Sequence, residues 1–90
     1  MAQAVGDPEE IKKFARMLKV FNQDLTNNTK VLQGQFQSLG ETWKDQQHQK
    51  FAQEFEQMVR VLHQFVQSSE QQIPLLQKKA EQLDEYLKSR

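Results

Sequence analysis

Imidazoles, carboxylates and thiols carry most protein chemistry, and here their spacing argues against it. The chain has two histidines, His48 and His63, and no cysteine, so it offers no disulfide, thiolate nucleophile or sulfur-ligated metal. The histidines stand fifteen residues apart in one helix-period stretch. That is about four turns, or ~22 Å, so they cannot share a metal ion. His48 reads as a solvated first-turn residue and His63 as a flank residue beside an apolar stripe. Asp45 could orient the His48 imidazole, but no nucleophile motif or pocket-forming architecture stands beside them. Gly34 and Gly40 lack the spacing of a phosphate-cradling loop. The residues therefore assign no catalytic, cofactor-binding or metal site, and no cofactor is expected.

The single tryptophan, Trp43, is more informative. It lies in Leu39-Gly40-Glu41-Thr42-Trp43-Lys44-Asp45, the turn between two long helical patterns. A large aromatic at a hairpin tip needs a packing partner or a binding partner. Two roles stand open, a plug over the end of the core between Leu39 and Phe51, and a handle offered to another protein.

The elements that position Trp43 are legible from apolar periodicity. Ile11, Phe14, Leu18, Phe21, Leu25, Leu32 and Leu39 recur in steps of three, four or seven, which marks a helix. Asp7 can cap it, Pro8 suits the first helical position, and Glu9 and Glu10 favour the positive end of the dipole. Gly40 suits a left-handed residue closing the helix. A second helix starts after Asp45, its expected N-cap, and runs to about Lys88. Its columns are Phe55, Leu62, Leu76 and Leu83; Phe51, Met58 and Phe65; and Val59, Val66, Ile73, Ala80 and Leu87. Pro74 interrupts the backbone bonding but not the phase, which predicts a kink rather than a break.

The fold class is therefore all-α, an antiparallel two-helix hairpin of about 8–39 and 45–88 in one domain spanning 1–90. Residues 1–6 are expected to be flexible and 40–45 to turn. Folding about the turn pairs residue i with roughly 85 − i, leaving 79–90 as a helical overhang. Asn28 and Ser69 interrupt the apolar columns as a small polar layer or a register device. The apolar face is wider than a two-helix seam can cover. Burying one large apolar side chain is worth ~1.5–3 kcal/mol, so pairing into a four-helix bundle as a dimer is expected. The residues assigned to that interface are Phe36, Val59, Val66, Leu83, Tyr86 and Leu87.

Lys plus Arg equals Asp plus Glu at 12 each, which leaves no basic footprint for nucleic acid. A neutral, Gln-rich polar face disfavours anionic membrane surfaces, and no apolar run reaches the ~20 residues of a span. The first six residues lack the positive and apolar regions of a cleavable signal peptide.

Two helices joined by a tryptophan-bearing turn in a chain of this length resemble the WXG family of small type VII secretion substrates, the early secreted antigenic target-like proteins. The resemblance covers nearly the whole chain and rests on Leu39, Trp43, Phe51 and Phe55. This chain has Trp43-Lys44-Asp45 where the family has Trp-X-Gly. Arg90, four positions after Tyr86, stands where the family's tail motif has an acidic residue. The resemblance implies a non-enzymatic protein that pairs with itself or a homologous hairpin and engages an export ATPase. It also implies secretion by a signal-peptide-independent route, with residence in the cytoplasm as the other outcome. The alternative is an intracellular adaptor or chaperone-like bundle.

Overall fold

The computed structural model describes residues 6–89. Two helices, α1 (Pro8–Leu39) and α2 (Gln46–Lys88), lie side by side in a rod of 68 × 18 × 17 Å. A rod two helices wide has no interior beyond the line where the helices meet, so every packing decision is made along that seam.

Both helix starts follow their local chemistry. Asp7 is the N-cap of α1, its Oδ1 accepting from the Glu9 N–H at 3.0 Å, with Pro8 next. Asp45 caps α2, its Oδ1 accepting from the His48 N–H at 3.1 Å. These caps satisfy N–H groups that have no partner within the helix. The intervening turn is tight, with the Thr42 and Trp43 N–H groups both donating to the Leu39 carbonyl. α2 runs unbroken through Pro74. Gly40 departs from expectation, with φ −65° and ψ −15°, right-handed rather than left-handed.

The register also differs from expectation. Asn22 contacts Ser69 and Phe36 contacts Phe55, which places residue i across from residue 91 − i. The expected 85 − i alignment would set Ala15 against Glu70 and Asn22 against His63, putting a charge and an imidazole into the seam. The observed alignment instead faces a column of Ala15, Asn22 and Thr29 with Phe55, Val59, Ser69, Ile73, Ala80 and Leu83, all buried. Those α2 positions belong to one alternating three- and four-residue series, with half-buried Leu62, Val66 and Leu76 between them.

The 79–90 overhang is corrected accordingly. Ala80 and Leu83 lie in the seam, and Lys12 pairs with Asp84 at 2.9 Å. Among the described residues, only the last turn of α2 extends past the start of α1. At the opposite side of this end Gly6 adopts φ +145°, a conformation that favours glycine, and a Cβ there would stand 3.1 Å from Leu83 Cδ1. The rest of the 1–6 segment expected to be flexible, and Arg90, lie outside the described residues.

The polar layer is likewise reassigned. Ser69 is buried as part of it, but its partner is Asn22 rather than Asn28, which is exposed. Asn22 Nδ2 donates to Ser69 Oγ at 2.8 Å, while Asn22 Oδ1 is buried without a hydrogen-bond partner.

Candidate functional site

The seam consumes the small side of α1 and leaves the large side bare. On α1, Phe14 and Phe21 stand beside the seam with more than half of their surface exposed. On α2, Phe51, Met58 and Phe65 also stand beside the seam, at 40–49% exposure. Because the helices are antiparallel, these flanks fall on one side of the hairpin. Phe21 and Phe65 meet there edge to face. Toward the tip, the same side opens into a groove of about 620 Å³ lined by Leu32, Phe36, Leu39, Phe51, Phe55 and Met58.

The opposite side is polar. Lys12 Nζ reaches Asp84 Oδ2 at 2.9 Å and Glu9 Oε2 at 3.5 Å. The hydrogen bond from Lys12 holds the Asp84 carboxyl below its ordinary range, and the same bond raises Lys12. Lys19, Glu70 and Gln77 line a shallow depression farther along this side. One long face is thus apolar and the other ionic.

The expected division between core and interface is therefore largely reversed. Val59 and Leu83 are buried inside the hairpin, Val66 is half-buried in the seam, and Phe36 packs against Phe51 and Phe55. Phe14, Phe21, Phe51 and Phe65, members of the apolar columns, form an exposed aromatic flank instead. Tyr86 and Leu87, on the last turn of α2, are exposed, at 59% and 44%.

Around the turn, Trp43 is half-buried. Its indole stands edge-on to the His48 imidazole at 5.1 Å and tilted to Phe51 at 6.3 Å. His48 in turn stacks on Phe36, with centroids 5.1 Å apart and planes within 7°. His48 is therefore not a solvated first-turn residue. Its Nε2 is buried without a hydrogen-bond partner. A signal for this was present, since extending the Phe55 column back by seven residues reaches His48. The same imidazole explains the glycine at position 40, where a Cβ would stand 3.3 Å from Nε2 and 3.3 Å from the Gln37 carbonyl. Asp45, assigned to the turn motif, fixes where α2 begins and so where His48 sits.

Chemically, the described residues offer one apolar and one ionic surface. Among the described residues, no three His, Asp or Glu side chains converge as a metal site needs. Among them also, no helix is long and apolar enough to cross a membrane. No match was found among curated proteins or among solved structures. A family model described as "Proteins of 100 residues with WXG" matches residues 6–86, and this chain, with Trp43 at the turn of its hairpin, belongs to that WXG100 family.

Proposed function

We propose that this protein acts by binding rather than catalysis, as a substrate or partner of type VII export whose apolar flank pairs with a second hairpin to make a four-helix bundle. The second hairpin is another copy of this chain or a homologous one. The observation that carries the reading is the one-sided exposure of Phe14, Phe21, Phe51, Met58 and Phe65. Scattered apolar residues on a surface are ordinary, but a continuous row of them marks an interaction site. Pairing two such faces removes both rows from water and supplies the wide core that a two-helix seam cannot.

In this reading Trp43 is a handle at the tip, while Tyr86 and Leu87 extend a second contact from the projecting turn toward an export ATPase. Family membership supports the export role. Arg90, standing where the family's tail motif has an acidic residue, favours a second reading in which the protein stays inside the cell as an adaptor. One measurement tests the pairing and another separates the two readings. Light scattering of the purified chain at micromolar concentration is expected to give about twice its mass of 10.6 kDa, and a stable, well-folded monomer would remove the self-pairing reading. Proteomics of the native host's culture medium is expected to find the protein outside the cell. Retention in the cell pellet would select the adaptor.

A further inference from the structure

The turn holds three aromatic rings in a row, Trp43, His48 and Phe36, with the imidazole between the other two. Its contacts are unequal, face to face with Phe36 and edge to face with Trp43. Phe36 is held independently by Phe51 at 5.6 Å and Phe55 at 4.8 Å. Trp43 belongs to a turn held through the Leu39 carbonyl, and besides the imidazole its ring meets only Phe51 among the aromatic rings of the described residues, at the longer distance of 6.3 Å. Of the two outer rings, the indole is therefore the one with less to hold it.

Nothing in the packing demands a histidine between them. Its Nε2 is a buried polar atom with no partner, an arrangement that a phenyl ring would avoid. Gly40 keeps the space open, because a methyl group at that position would press on the imidazole at 3.3 Å. Asp45 fixes the backbone of the same residue through the His48 N–H. Gly40 and Asp45 therefore converge on the placement of one ring.

We propose that His48 is the positioning residue for Trp43, a spacer that holds the indole off Phe36 and so keeps it part exposed at the tip. Without the spacer, the space beside Phe36 is filled by the indole, since a vacated apolar site collapses as far as its neighbours can move. Trp43, already beside Phe51, then sinks against Phe36 and is withdrawn from the surface. The biological consequence rests on the proposed role of Trp43 as a handle, whereas the seating of the indole does not.

Trp43 is the only tryptophan, so its fluorescence in the full chain reports the seat directly. In His48→Ala the emission is expected to shift to the blue and acrylamide quenching to fall about twofold, with helicity by circular dichroism unchanged. His48→Phe, which restores a ring of similar shape, is expected to return both signals to wild-type values. Gly40→Ala displaces the imidazole by another route and is expected to change quenching in the same direction as His48→Ala. It also decides the question on the same readout if His48→Ala does not fold. Unchanged or increased quenching in the folded variants overturns the proposal, because the imidazole would then be holding the indole in rather than out. Export into the medium is measured separately for Trp43→Ala. Normal export of that variant defeats the handle reading and leaves the fluorescence result standing.

Discussion

Phe21 of α1 and Phe65 of α2 meet edge to face, with ring centroids 6.0 Å apart and planes at 85°. Both nevertheless keep about half of their surface in contact with solvent. They bridge the helices on the outside of the seam, at the middle of the apolar flank. Their contact contributes ~0.5–1.5 kcal/mol beyond area burial, but the larger hydrophobic gain requires something to cover them.

Replacing both rings is accordingly expected to affect association more than folding. Phe21→Ser with Phe65→Ser should leave the chain helical and halve the mass seen by light scattering at micromolar concentration. A double variant that remains dimeric would place the interface elsewhere.

The Asn22–Ser69 pair predicts an asymmetric mutational pattern. Ser69→Ala removes the partner of Asn22 Nδ2 in a residue whose Oδ1 already lacks one. Leaving a buried donor unsatisfied costs ~1–3 kcal/mol. Replacing both groups, as in Asn22→Leu with Ser69→Ala, should recover most of that loss. Chemical denaturation of the two single variants and the double variant measures the coupling.

Truncation after Lys78 removes Ala80 and Leu83 from the seam and is expected to destabilise the hairpin. Losing a buried leucine to alanine alone costs ~2–5 kcal/mol, against a total stability of ~5–15 kcal/mol for a native protein. By contrast, Tyr86→Ser with Leu87→Ser touches only the projecting turn. Its melting midpoint should stay near that of the wild type, so thermal melts of the two variants distinguish seam from projection.

The Lys12–Asp84 pair gives a pH dependence with a defined sign. Asp84 is lowered from its ordinary 3.8 by the Lys12 hydrogen bond, so its contribution is present above that value and is lost as pH falls through the lower folded value. Lys12 is raised from 10.5 by the same bond, so its contribution is present below 10.5 and is lost as pH climbs through the higher folded value. The pair therefore supports the hairpin across the neutral range. Both side chains are about one-third exposed, which keeps the effect small. Asp84→Asn should flatten both limbs of a stability profile measured by denaturation from acid to alkaline pH.

Trp43→Ala should cost less than the ~3–5 kcal/mol of a fully buried aromatic, about 2 kcal/mol for a half-buried one. A drop of that size in denaturant stability, together with loss of export, identifies an indole that is both seated and used. A loss equal to full burial would make it a plug.

Much of the hairpin was legible because helix signals are local. The 3.6-residue period of the apolar positions, Asp7-Pro8 at one start and Asp45 at the other, and the turn around Gly40 depend on neighbours within a few residues. Continuity through Pro74 was readable for the same reason, from a phase that resumes. The tryptophan in the turn, with Leu39, Phe51 and Phe55 around it in a chain of this length, suggested the family.

Which side of each stripe faces the other helix was a tertiary decision. A stripe wide enough for two partners does not say which half is closed first. The helices meet along Ala15, Asn22 and Thr29, where short side chains and the Asn22–Ser69 bond allow close approach, and Phe14, Phe21, Phe51 and Phe65 are left outside. The same choice moves the alignment to 91 − i, draws Leu83 into the seam and puts His48 beside Trp43. Local pattern determined that there would be two amphipathic helices and where they turn. Only the matching of two surfaces, residue against residue, decided that the flank of Phe14, Phe21, Phe51 and Phe65 would remain exposed.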